Sequence, residues 1–170
     1  HVDKMGYVEN FYYDPGEKRT VRVNRRGAET YSEYDSNARV TMAVDPEGNH
    51  VFQEWDLSNN KTALTNERGY TTSWTFDNDG NMLTETNPLN QTMTYTYDPV
   101  YHQVATVTDP TGGQTVYTYD PSTGDLISTI DQENNETTYT YDTYGQLETN
   151  TDPLNHTSSF GWNDEGAMTS

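Results

Sequence analysis

The chain has 170 residues, 31% of them hydrophobic, with no cysteine and a formal net charge of -18 at pH 7. Without cysteine it has neither a disulfide framework nor a thiolate metal site, and no apolar run approaches the roughly 20 residues of a membrane-spanning helix. Nine bases and twelve acids lie up to Arg68, but fifteen acids and no base follow from Gly69, so nothing there can neutralise phosphate and nucleic acid is excluded as that half's partner.

In chain order, an aromatic residue followed by Asp or Asn opens the pattern at Tyr13-Asp14. It returns at Tyr34-Asp35, Trp55-Asp56, Phe76-Asp77, Tyr97-Asp98, Tyr119-Asp120, Tyr141-Asp142 and Trp162-Asn163, in steps of 21, 21, 21, 21, 22, 22 and 21 residues. A fixed period of this length is the signature of one supersecondary unit copied in line. A turn follows each pair, as in Asp14-Pro15-Gly16, Asp77-Asn78-Asp79-Gly80, Asp142-Thr143-Tyr144-Gly145 and Asn163-Asp164-Glu165-Gly166. A second turn comes 11 or 12 residues after each aromatic, at Asn24-Arg25-Arg26-Gly27, Asp45-Pro46-Glu47-Gly48, Asn66-Glu67-Arg68-Gly69, Asn87-Pro88-Leu89-Asn90, Asp109-Pro110-Thr111-Gly112, Asp131-Gln132-Glu133-Asn134 and Asp152-Pro153-Leu154-Asn155. Asp or Asn comes first to hold the backbone, Pro often second to preset φ, and Gly or Asn last where φ is positive.

Between the turns, apolar and polar residues alternate with a period of two, the mark of a strand. Val40, Met42 and Val44 are expected on one face; so are Met93, Tyr95 and Tyr97 on Thr92–Tyr97, with the threonines opposite. Val104, Thr106 and Thr108, then Leu126, Ser128 and Ile130, read the same way, and Thr115–Tyr119 and Thr138–Tyr141 repeat the Thr-x-Tyr device. No helical stripe of i, i+3, i+4, i+7 appears. The predicted fold is all-β, a continuous twisted ribbon of tandem antiparallel hairpins, one per 21 residues or so and about sixteen strands in all. The extra residue of each 22-residue step falls in a turn, Asp98–His102 and Asp120–Gly124, because a slip inside a strand would turn its side chains to the wrong face.

The order Tyr-Asp, Gly-containing turn, aliphatic residue, Asp-Pro-x-Gly and Thr-x-Tyr resembles the Tyr-Asp (YD) repeat of the Rhs family, from about Tyr7 to the end of the chain. That family includes bacterial polymorphic toxins, cocoon-forming subunits of toxin complexes, wall-associated proteins and teneurins. Trp55, Phe76 and Trp162 depart from Tyr, and the turns at Asn24 and Asn66 lack Pro, but aromatic bulk and turn grammar are kept. The Arg-rich core segment with a self-cleaving aspartate pair has no counterpart here, so autoproteolysis is not carried over. The resemblance implies a segment of a hollow wall one sheet thick, secreted or at the cell surface.

The expected organisation is one repeat array over 1–170, about eight repeats, with no internal boundary. Its two ends would present strand edges and it opens on His1 rather than Met, so a fragment of a larger protein is expected. Its partners would be the remaining repeats and an effector domain of the same polypeptide, or other copies pairing edge to edge near Phe11–Tyr13 and Phe160–Trp162. A second reading is a surface module that binds glycan or protein through exposed tyrosines and amides.

Candidate chemistry is weighed against the repeat. Asp45, Asp109, Asp131 and Asp152 fill the same turn slot, so turn capping explains them better than paired-carboxylate hydrolysis. Asp77-x-Asp79-x-Asn81 resembles the start of an EF-hand loop, yet Met82 and Pro88 stand where Gly and Glu are required, leaving at most a weak surface calcium site. His1, His50, His102 and His156 are scattered and Gly-x-Ser-x-Gly is absent, so no catalytic, cofactor or metal residue is named and no enzyme is expected. Lys18, Arg19, Arg22, Arg25 and Arg26 suggest an anion site, but cations balancing Glu17, Glu29 and Glu33 on a solvated face is the stronger reading. The Asn-x-Thr sequons at Asn60, Asn90, Asn135 and Asn155 follow from a chain rich in Asn and Thr. The defining residues are then structural: the aromatic-Asp pairs above, with Asp45, Gly48, Asp109, Gly112 and Asp152 in the opposite turns.

Overall fold

The structure is a computed structural model that describes residues 10–24, 26–163 and 165–169; His1, Tyr7, Arg25 and Asp164 lie outside them. Among the described residues there are fifteen strands, all antiparallel where paired, and no helix. They fall in two compact units, His1–Gln91 and Thr92–Ser170. In the first, β1 (Asn10–Asp14), β2 (Arg19–Val23), β3 (Glu29–Tyr34), β4 (Val40–Val44), β5 (His50–Trp55), β6 (Lys61–Thr65), β7 (Thr71–Phe76) and β8 (Met82–Thr86) each pair with the next. In the second, β9 (Thr92–Tyr97), β10 (Val104–Thr108), β11 (Gln114–Tyr119), β12 (Leu126–Ile130), β13 (Glu136–Tyr141), β14 (Leu147–Thr151) and β15 (Thr157–Ser159) do the same. The last hairpin carries a bridge from Trp162 to Met168, with Asn163 N donating to Ala167 O and Thr169 N to Gly161 O.

Within each unit every pairing is between chain neighbours, so among the described residues each unit's strands form a meander one sheet thick, and little can be buried. Val21, Val44 and Ala63 are the buried hydrophobic residues among those described, and no large side chain is fully enclosed. Stability therefore rests on backbone ladders and cross-strand pairs. Threonine hydroxyls meet across strands at 2.7 Å in Thr65–Thr71, Thr75–Thr84, Thr96–Thr106 and Thr140–Thr149, and at 2.9 Å in Thr151–Thr157.

Strict alternation fails on the strands that return from the aromatic turns. Tyr97 opposes Val104 and Thr96 opposes Thr106, so Ala105 is skipped; equivalent shifts skip Thr41, Thr62, Leu83, Ile127 and Glu148. Opposed residues share a face. Val104 and Val107 therefore lie with Tyr97 and Tyr95, while Thr106 and Thr108 lie opposite with Thr96 and Thr94. The expectation that Val104 shares a face with Thr106 and Thr108 is corrected, as are those for Val40 with Met42 and Val44, and Leu126 with Ser128 and Ile130. A β-bulge inserts one residue and resets the face beyond it.

The turns explain the period. The two 22-residue steps have aromatic turns one residue longer, closed by Asp98 N to Gln103 O and Asp120 N to Asp125 O, where Asp35 N reaches only Arg39 O. The first hairpin also has a long turn, with positive φ at Lys18 and not at Gly16, but its register shows no bulge, so the 21-residue step is kept.

Candidate functional site

What recurs in this chain is two kinds of joint, one inside each turn and one between successive repeats. In the turn joint, Oδ1 of the leading Asp or Asn accepts two backbone N–H groups. For Asp45 these come from Glu47 and Asn49, both at 2.9 Å, and for Asp152 from Leu154 at 2.9 Å and His156 at 2.8 Å. The long turns use the second and third residues instead, Asp98 accepting from Val100 and Tyr101, Asp120 from Ser122 and Thr123, and Asp14 from Gly16 and Glu17. Asp142 accepts from Tyr144 and Gln146, like the short turns. Each turn ends on one positive-φ residue, among them Gly48 at 85° and Gly112 at 91°.

The second carboxylate oxygen is met by a nitrogen four residues on: Asn49 Nδ2 on Asp45 at 2.8 Å, and Asn60, Asn81 and Asn135 on Asp56, Asp77 and Asp131, each at 2.9 Å. Arg39 Nε plays this part for Asp35 at 2.7 Å and the His156 ring for Asp152 at 3.0 Å. Where Asn87 leads, polarity reverses and its Nδ2 donates to Gln91 Oε1 at 2.8 Å. Gly113 has no side chain to offer Asp109, and Gln132 of the following turn hydrogen-bonds that carboxylate, its amide lying where a Gly113 Cβ would point.

These donors hold the carboxyls of Asp35, Asp45, Asp56, Asp77, Asp109, Asp131 and Asp152 below their ordinary value of 3.8, side-chain hydrogen bonds leading in all but Asp152, where the His156 backbone N–H leads. Because folding depresses these values, the unfolded chain takes up protons first. Their stabilisation is complete above the ordinary aspartate range and is lost as pH falls through 3.8 and below. In salt sufficient to screen the acidic repulsion, thermal midpoints should fall steadily between about pH 5 and pH 2.5. A midpoint flat or rising over that range contradicts the turn joint.

In the inter-repeat joint, the ring of an aromatic-Asp pair reaches back to a backbone carbonyl 15 residues earlier, on the first residue of a returning strand. Trp55 Nε1 donates to Val40 O at 2.7 Å, Tyr119 Oη to Val104 O at 2.8 Å, Tyr141 Oη to Leu126 O at 3.0 Å and Trp162 Nε1 to Leu147 O at 2.8 Å. Tyr34 shares its hydroxyl with Thr20 Oγ1 at 2.9 Å. Partial burial, the leading cause, raises the phenol pKa of Tyr119 and Tyr141. Ladders across the joints closed by Trp55, Tyr119 and Tyr141 are short, three pairs each for β4–β5, β10–β11 and β12–β13 against five between β1 and β2. The ring bond fastens the end such a ladder leaves unzipped.

Two local devices add to this. Arg39 is fixed by Asp35 and reaches Asp56 O and, at 3.1 Å, Asn59 Oδ1; its guanidinium and the Lys61 ammonium stand 5.8 and 5.2 Å from the Trp55 ring centre. Tyr101, in a long turn, lays its ring against Gly124 of the next long turn.

The turn acids expected to cap backbone do so, and both Asp77 oxygens are spent on Asp79 N, Asn81 N and Asn81 Nδ2. Among the described residues no three His, Cys, Asp or Glu gather as a metal site. In the basic cluster Arg19 lies 3.9 Å from Asp14 and over the Tyr31 ring, and Arg22 lies over Phe11. Asp14 is thus an acid beside Arg19, and Glu33 faces Arg19 directly across the β2–β3 ladder. The returning-strand bulges and the carbonyl acceptors were missed from sequence; the nitrogen-bearing residue after many turns, as at Arg39, Asn49, Asn60, Asn81, Asn135 and His156, was a signal that could have been found.

No family model matches the sequence, and no curated protein matches it. Solved structures do. A chain of the Photorhabdus luminescens Tc holotoxin pore, in a structure carrying a TccC3 mutation, is similar at a TM-score of 0.64 and 19% identity over 84% of this chain and 9% of its own length. Chains of the TcdB2-TccC3-Cdc42 structure, and of TcdB2-TccC3 without its hypervariable C-terminal region, are similar at a TM-score of 0.64 and 16% identity over 99% of this chain and 11% of theirs. This chain thus spans about a tenth of the length of the chains it matches. The likeness is one of fold, and the hairpin ribbon found here is the architecture that the resemblance of its Tyr-Asp repeats to those of the Rhs family implies.

Proposed function

We propose that this chain is a non-catalytic wall segment of an Rhs-type protein, part of a β-shell that encloses or presents an effector carried C-terminally on the same polypeptide and secreted with it. The observation that carries this is the likeness of nearly the whole ribbon to a tenth of the TcdB2-TccC3 chains. The joints supply the physical logic. Where Trp55, Tyr119, Tyr141 and Trp162 close the joint, the acceptor is main chain, so the ribbon can be lengthened with little new side-chain complementarity, which suits a wall better than a reaction site.

The test is protease protection. In the intact parent polypeptide, the domain after the repeats should resist digestion that degrades the same domain expressed alone. Equal sensitivity in both forms counts against enclosure. The repeats on either side are the proposed partners of the ribbon's edges. Isolated, the segment should self-associate through Phe11–Tyr13, which is exposed on β1. A strict monomer by light scattering at high concentration contradicts that expectation.

A further inference from the structure

We infer that the β6–β7 line of the first unit is a preset hinge, the place where the ribbon parts before its neighbours. The contrast with β4–β5, a ladder of the same three pairs in the same unit, carries the argument. At the aromatic end, Trp55 closes β4–β5 with a 2.7 Å bond to Val40 O. The equivalent residue on β7 is Phe76, 15 residues after Lys61 at the start of β6, and a phenyl ring has no proton to donate.

At the turn end, β4–β5 is closed by Asp45, whose second oxygen takes a 2.8 Å bond from Asn49 Nδ2. The β6–β7 turn is led by Asn66, which accepts the backbone N–H of Arg68 at 3.0 Å and of Tyr70 at 3.1 Å. Tyr70, 55% exposed, stands where Asn49 does in the other turn and makes no side-chain bond to Asn66. A hydrogen bond to a charged oxygen is stronger than one between neutral groups, so both ends of β6–β7 are closed less firmly than those of β4–β5. Against this stands the Thr65–Thr71 hydroxyl pair at 2.7 Å, a neutral bond at one end only. Local opening begins where fewest bonds must break.

Amide exchange on the intact 170-residue protein tests the hinge. Amides bonded across β6–β7 should exchange about two- to tenfold faster than those across β4–β5, the factor a single missing hydrogen bond is worth. Phe76→Tyr, which restores a donor facing Lys61 O, should slow β6–β7 exchange by a similar factor and leave β4–β5 unchanged. Tyr119→Phe should speed exchange across β10–β11, where the bond to Val104 is lost, while leaving β12–β13 unchanged. Equal exchange at β6–β7 and β4–β5, or no response to Phe76→Tyr, overturns the hinge.

Discussion

Trp55→Ala should destabilise the first unit by about 3 kcal/mol, the range of a large aromatic truncation at a partly buried site. Three losses coincide. The indole gives up its bond to Val40 O, worth about 1 kcal/mol net. The Arg39 and Lys61 charges lose the ring between them, each such contact being worth about 0.5 kcal/mol or more. The remainder is apolar area no longer covered in a unit that buries few side chains. Substitutions that dissect the sum make the claim sharp. Trp55→Tyr supplies the ring and donor that Tyr119 and Tyr141 use elsewhere and should lose about 1 kcal/mol, whereas Trp55→Phe should lose about 1 kcal/mol more than Tyr. Urea unfolding monitored on the first unit reads all three. Equal stability of the Tyr and Phe variants would show that the ring, and not its proton, makes the joint.

Gly124→Ala should cost about 2 kcal/mol or more. Its φ of 80° lies in the left-handed region, where an L side chain is strained by about 1–2 kcal/mol. The added methyl would also point into the Tyr101 ring, 3.0 Å from its nearest carbon. Tyr101 is the residue the lengthened turn makes available, and it lies across the neighbouring long turn. The double substitution Tyr101→Ala with Gly124→Ala removes the clash and keeps the strain. It should therefore be less than the sum of the two single losses. Strict additivity would mean that the ring yields freely and only φ matters. Gly112→Ala is the comparison, since its φ is 91° but no neighbour lies within reach of a new methyl; it should lose about 1 kcal/mol less than Gly124→Ala.

Strands and turns were legible because the residues that make them are local. Asp109 capping its own turn, Gly112 taking positive φ, and Thr94 and Thr96 lying opposite Tyr95 and Tyr97 need only neighbours in sequence, and all were readable from spacing and residue type. The bulges were not readable. The skipped residues are Thr41, Thr62, Leu83, Ala105, Ile127 and Glu148, with no glycine to mark the extra position. Alternation by residue type continues through them while the face changes.

The joint between repeats was half legible. Its donors recur in plain sight at Trp55, Tyr119, Tyr141 and Trp162, but its acceptors are backbone carbonyls, which every residue has. That is also why replacing Tyr with Phe at residue 76 looked harmless in sequence: bulk is conserved, and the missing proton matters only once Lys61 O is seen 15 residues upstream at the matching place. The polarity switch at Asn87–Gln91 shows the same logic in reverse, because amide and carboxylate are nearly isosteric and the partner decides which is needed.

The most direct test of the account is a cryo-electron microscopy map of the full-length polypeptide that contains this segment. The account predicts a ribbon one sheet thick over these residues, curving around a volume that holds density for the C-terminal domain. A ribbon with that domain lying free outside it, or these residues in a packed two-layer fold, would contradict the account.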